Sequence, residues 1–321
     1  MSDYLVGFNN IFDPALNNEI QDNLIEFLDW GLLEKGNYFN VDLGETSPDG
    51  YDYSRLHLSP NPHYSSGQAW SGFRSNWVWQ SGLTPSGVTA PIVGTNNTIP
   101  GISGVYVDDT FYPSTTTGTY AHKVDYFEGR VIFDNPIPTG SKVQVEHSYK
   151  YINIVYANNV PWLREVQYDT LDRKVAINSL KDEYSVPSEM RLQLPAIAIE
   201  IVPKRTSQPY QLGGGQYFNT DVIFHCIAEN ASTRNSLVDM LSYQGDRSVR
   251  MFDTQLVVDN DAFPLNYEGI PNSGANRYPD LISSYPGKMM YIKDLKTSDS
   301  LSVDSNLYIC AVRYTMEIVK I

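Results

Sequence analysis

Cysteine is nearly absent: Cys226 and Cys310 are the only two among 321 residues. Each sits in an apolar run of strand character, which reads as a buried free thiol, with a disulfide between them as the alternative. Basic residues are scarce too, 23 against 37 acidic, for a net charge of −14. This balance argues against wrapping a phosphate backbone, because non-specific nucleic-acid affinity comes from Lys and Arg. It is compatible with lining a path that DNA crosses without sticking. No apolar run approaches the roughly 18 residues of a membrane span. Met1-Ser-Asp-Tyr-Leu5 lacks the basic and apolar segments of a signal peptide, so a cytoplasmic site of synthesis is expected.

Catalytic signatures are missing as well. The five histidines, His57, His63, His122, His147 and His225, do not fall at zinc-ligand spacing. There is no Gly-x-Ser-x-Gly elbow for acyl transfer. Asp108-Asp109 and Asp259-Asn-Asp261 lack the acidic positions of an EF-hand and read as solvated turns. His57 and His63 share a loop with Asp49 and Asp52, a weak hint of a site. The expectation is no catalytic residues, no metal and no cofactor.

What the chain does have is aromatics, above all 23 tyrosines. Tyr combines apolar area with a hydroxyl and suits strands and subunit interfaces. Asp13-Pro14 opens a helix to about Glu34, with Leu16, Ile20, Leu24, Phe27 and Leu28 on one stripe. Lys35–Leu43 reads as a short strand. From Gly44 to about Pro100 helical periodicity disappears, and Trp70, Phe73, Trp77 and Trp79 crowd together. Strands are predicted at Gly104–Tyr112, Tyr120–Tyr126, Arg130–Asp134 and Lys142–Tyr151, separated by Gly/Pro turns. That pattern predicts a small β-sandwich or barrel.

Val175–Leu180 is the clearest apolar run in the mixed stretch that follows. Leu194–Val202 reads as a strand, Pro203–Gly215 as a polar loop, Asp221–Ala228 as a strand covered on both faces, and Glu229–Tyr243 as a capped helix. Val249–Asp253, Lys288–Lys293 and a long closing Leu307–Val319 are further strands. A polar loop is predicted between Asp259 and Gly287.

Two groups stand out as candidate binding surfaces. Trp70, Trp77 and Trp79 form either a partner-binding patch, as aromatics do at interface hot spots, or the core of a loop-rich module. Gly213, Gly214 and Gly215 precede a strand and have no following Lys-Ser/Thr, so they read as a flexible hairpin tip at an interface.

Setting residues 44–155 aside leaves a helix, a strand hairpin with a projecting loop, a helix and a C-terminal sheet. The helix around Leu16–Leu28, Pro195-Ala-Ile-Ala-Ile-Glu200, Gly213–Phe218, Val222–Ala228 and the helix with Arg234, Leu237 and Asp239 together resemble bacteriophage tail-terminator and tail-completion proteins. Val105–Tyr151 is similar to small β-sandwich insertions of virion proteins. The resemblance covers about half of the chain, which departs from the family in length and in its aromatic insertion.

The resemblance implies an α+β fold: a terminator-like mixed α/β core, a sheet flanked by two helices, built from 1–43 and 156–321. Residues 44–155 would be the inserted β domain. It implies a non-enzymatic virion protein of the neck or tail. That protein would form a ring, a hexamer in the family, that caps the tail tube or joins tail to head. Implied partners are copies of itself and tail tube, sheath or connector proteins, with DNA passing through the lumen and no membrane contact. The competing reading, from the Trp and Tyr content and the Asp pairs, is a carbohydrate- or receptor-binding β protein, with hydrolase activity as a variant.

Overall fold

The computed structural model describes residues 15–44, 46, 50, 52–80, 83, 102–157, 168–169, 192–211, 214–272, 276–298, 301–304 and 307–320. The first elements are helix α1 (Leu16–Leu33) and strand β1 (Tyr38–Val41). Then come β2 (His57–Leu58), β3 (Ala69–Ser71), β4 (Gly104–Val107), β5 (Thr110–Pro113), β6 (His122–Asp125), β7 (Arg130–Phe133), β8 (Val143–Gln144) and β9 (His147–Lys150). They are followed by β10 (Asn153–Tyr156), β11 (Tyr168–Asp169), β12 (Leu192–Gln193), β13 (Ala196–Gln211) and β14 (Gly214–Ala228). Last are α2 (Ala231–Ser242), β15 (Arg247–Phe252), α3 (Thr254–Asp259), α4 (Tyr278–Ser284), β16 (Pro286–Thr297), β17 (Leu301–Asp304) and β18 (Leu307–Lys320). Asp13, Pro14 and the Val175–Leu180 run lie outside the described residues.

The main sheet has the order β10-β13-β14-β18-β16-β15, with β17 also paired to β18. Only β10 and β13 run parallel; the other pairs are antiparallel. Its core face collects Ile197, Ile199, Val222, Phe224, Cys226, Val312, Tyr314, Met316 and Ile318, with α1 supplying Ile20, Leu24, Leu28 and Leu32 and α2 supplying Leu237 and Leu241. Removing such side chains from water is worth about 1.5–3 kcal/mol each. Asn23 ties α1 to β15, donating to Phe252 O at 3.1 Å while its Oδ1 accepts from Phe252 N–H at 2.7 Å.

The expected α+β core is overturned. The chain is mostly β, 45% strand and 19% helix, and the six-strand path of its principal sheet, with β17 added to β18, curls into a half-barrel. The helices do not flank that sheet: α1 and α2 bury their stripes in one cluster on the same face. The curl has a local cause. Register breaks at Ile201/Arg205, Lys293/Leu295 and Arg250/Phe252 add residues to one strand of a pair, and such bulges bend and twist a sheet.

Several segments read as loops carry regular structure. Pro203–Gln211 continues β13 and pairs with β14. The Asp259–Gly287 stretch contains α4, started by Pro279 in its first turn and by Asp280 Oδ2, which accepts the Arg277 N–H at 3.0 Å. In the other direction, Gly104–Tyr112 is two strands rather than one, reversing at Asp108 and Asp109, whose φ values are +49° and +65°. Positive φ at both central residues is the geometry of the tightest hairpins, and Asp tolerates it. Lys142–Tyr151 likewise breaks into β8 and β9.

Residues 52–150 hold two smaller sheets, β2-β3-β7-β6 and β5-β4-β8. They share one apolar cluster: Trp70, Trp77, Trp79, Val105, Val107, Val131, Phe133, Val143 and Val145. β1, from before this region, pairs with β9 at its end, so the two crossings to the main sheet lie side by side.

Candidate functional site

The three tryptophans are inside. Trp77 is 0% exposed, and Trp70 and Trp79 are each 3% exposed. The Trp77 indole N–H donates to Arg74 O at 2.9 Å and its ring lies 4.3 Å from the His147 ring. The Trp70 N–H donates to Gly67 O at 3.0 Å. This corrects the partner-binding reading of Trp70, Trp77 and Trp79: their rings fill the space between two small sheets. The fit is tight at Gly72 and Gly129, which composition alone does not mark. A Cβ at Gly72 would come within 2.8 Å of the Trp77 ring, and one at Gly129 within 2.9 Å of its nitrogen.

The glycine run also stands differently. Gly214 and Gly215 belong to β14, Gly215 with φ +81°, and Gly214 pairs with Gln211. Gly213 lies outside the described residues. The projecting feature is therefore a strand ribbon rather than a flexible loop.

That ribbon is the most distinctive surface of the molecule. β10 covers β13 only from Ala196 to Ile199. Beyond Ile199 no described strand lies on that side, while β14 continues to pair with β13 as far as Gln211. Residues 203–210 are all exposed, with Tyr210 at 50%. The Arg205 guanidinium sits 6.0 Å from the Phe218 ring centre, and the Tyr217 hydroxyl bonds Gln208. These contacts tie the exposed end of β13 to β14, which β18 backs as far as Gln216.

The opposite edge of the sheet is treated differently. On β15, Phe252 N–H and C=O are both taken by Asn23, and Arg250 O accepts the Tyr278 hydroxyl at 2.5 Å. Edges closed in this way do not template other chains.

The outer face of the sheet is a polar lattice. His225 Nε2 lies 2.8 Å from Glu200 Oε2, Arg313 pairs with Asp221, and Lys293 pairs with Glu317. Burial pushes the Asp221 carboxyl up, but hydrogen bonds from Arg313 and Thr315 outweigh it and leave the pKa below the ordinary value. Such pairs keep a broad sheet face wet.

A second polar cluster joins α1 to the 52–150 region. Lys150 Nζ lies 2.7 Å from Asp29 Oδ2, which also accepts from Gln80 Nε2 at 2.8 Å. The Tyr156 hydroxyl donates to Asp22 Oδ1 at 2.7 Å. Glu26 stands between the two aspartates on the same helix face. Burial first, then the Asp29 and Asp22 charges, push its pKa to about 8 against the pull of Lys150. Nearby, the fully buried Arg74 donates to Leu194 O at 2.8 Å and Ser75 N–H donates to Gln193 Oε1 at 3.0 Å. These contacts dock one part of the chain on the other.

The remaining candidates resolve into structural roles. Asp108 Oδ1 accepts the Lys142 N–H at 2.8 Å and Asp109 Oδ1 accepts Lys142 Nζ at 2.9 Å. Asp259 Oδ1 accepts from Gln255 at 2.8 Å. Asp52 accepts from Ser54 and Gln144, while Asp49 lies outside the described residues. Cys226 and Cys310 face each other across β14 and β18 as buried free thiols. Among the described residues, no group of three or more His, Cys, Asp or Glu is placed to hold a metal ion, and no helix is long and apolar enough to cross a membrane. No family model matches the chain, and no curated protein is similar to it.

Proposed function

We propose that the protein is a non-catalytic structural subunit that assembles with copies of itself into a closed ring, in the neck or tail of a phage virion, where it caps the tail tube or joins tail to head. The observation that carries this is the β13/β14 ribbon. Its β13 strand runs past the cover of β10, is exposed from residue 203 to residue 210, and has no strand on its outer side among the described residues. Ordered against a neighbour, it makes a head-to-tail contact, and such contacts generate rings when the rotation closes. The reading keeps the function class that the terminator resemblance implied and drops its fold. The net charge of −14 suits a lumen that DNA crosses without adhering.

The glycan-binding reading drew on the Trp and Tyr content and the Asp pairs. The Trp70, Trp77 and Trp79 rings lie in the core, and Asp108 and Asp109 are engaged by Lys142, so the ring reading is preferred. The ring is tested by electron-microscopic imaging of the purified full-length chain. Rings with a central opening support the reading; uniform single subunits at every concentration overturn it.

A further inference from the structure

We propose that β13 beyond Ile199 is a strand-addition site for a second copy of this chain, taking an extended segment of the neighbour along its free backbone edge. The proposal rests on the ring reading above and names the surface and chemistry of its contact. Backbone geometry identifies the groups involved. In an antiparallel ladder, successive residues turn their N–H and C=O to alternate sides.

Ser298 N–H donates to Ala311 O at 2.8 Å, and Ala311 N–H donates to Ser298 Oγ at 3.0 Å. Ala311 therefore faces away from β14, and Cys310 faces towards it, opposite Cys226. The β14/β18 register runs unbroken, so the odd-numbered residues of β14 turn their backbone to β13. Asn219 and Tyr217 pair with Thr206 and Gln208, which accordingly bond inward. Arg205, Ser207 and Pro209 turn outward. Pro209 agrees independently: a proline in a sheet belongs where no ladder N–H is needed. The open edge thus offers the N–H of Arg205 and Ser207 and the C=O of Arg205, Ser207 and Pro209.

The charge of the ribbon selects the occupant. Between 201 and 220 the only charged residues are Lys204 and Arg205, and there is no Asp or Glu. The whole chain is −14, so the rest carries −16. A basic, otherwise uncharged ribbon on an acidic body is complementary to the body of another copy and repelled by another copy's ribbon. The contact is therefore head-to-tail, the kind that closes a ring rather than a symmetric pair. Backbone hydrogen bonds supply affinity in strand addition, and alternate side chains supply selectivity.

The test is Ser207→Pro in the full-length chain, with Ser207→Ala as control, both read by sedimentation over a concentration series. Ser207→Pro removes one outward N–H and leaves the ladder to β14 alone. It should weaken self-association about tenfold or more, while Ser207→Ala assembles like the parent. Parent assembly should also weaken in raised salt. Circular dichroism and melting confirm that each variant is folded. If Ser207→Pro disrupts the fold, hydrogen exchange on the parent decides: the Arg205 and Ser207 amides should be protected in the oligomer and exchange freely in the diluted monomer. Assembly unchanged by Ser207→Pro, or no protection at those amides, overturns strand addition and leaves the ring standing. A parent that stays monomeric overturns both.

Discussion

Replacing Glu26 with Gln should stabilise the protein, and increasingly so as pH rises. Glu26 lies on α1 one turn after Asp22 and close before Asp29. Asp29 has Lys150 and Gln80, and Asp22 has the Tyr156 hydroxyl. With those partners taken, Glu26 holds its proton, with a pKa near 8 against an ordinary 4.5, chiefly through burial. A carboxyl whose folded pKa is raised keeps a proton that the unfolded chain has released. Stability is therefore full below pH 4.5 and falls as pH rises through about 8. At about 1.4 kcal/mol per pH unit, the loss between pH 4 and pH 9 is on the order of 3–5 kcal/mol. Gln keeps the shape and cannot ionise. Denaturant unfolding of parent and Glu26→Gln should agree within about 1 kcal/mol at pH 4.5 and differ by about 3 kcal/mol or more at pH 9, with the variant more stable. Parallel curves across this range would refute a half-buried, protonated Glu26.

Two further outcomes follow from the cores. Trp77→Ala should cost about 3–5 kcal/mol in thermal or denaturant unfolding, because it empties the site between the small sheets; a loss under about 1 kcal/mol would place the ring at the surface. Cys226, its thiol pushed up to about 12 by burial, should resist alkylation in the folded protein and react on denaturation; rapid labelling of the native chain would contradict its burial.

Much of the fold is legible in the sequence, for identifiable reasons. α1 and α2 show themselves through apolar stripes, and α2 is capped by Asn230, which accepts the Thr233 N–H at 2.8 Å. β14 and β18 are continuous enough in apolar residues to read as strands. Period alone cannot say on which side of a sheet a helix lands; the resemblance implied a sheet flanked by two helices, and α1 and α2 share one face. The half-barrel depends on bulges, which insert residues without any compositional mark.

The ribbon was hidden by its own chemistry. Pro203, Pro209 and the glycines punctuate loops in most sequences, but at an open edge Pro209 sacrifices no ladder bond. Helices α3 and α4, of six and seven residues, are too short to display a stripe. Aromatic content identified the tryptophan cluster but not whether it faced in or out. That was decided by the close approach of Gly72 and Gly129, a matter of three-dimensional fit.

The central claim is that this chain completes itself only beside copies of itself. The direct measurement is the mass of the purified full-length chain by multi-angle light scattering across a concentration series. The account predicts one discrete species at a whole multiple of 36.2 kDa, closed and not growing further with concentration. A mass of 36.2 kDa at all concentrations would contradict it.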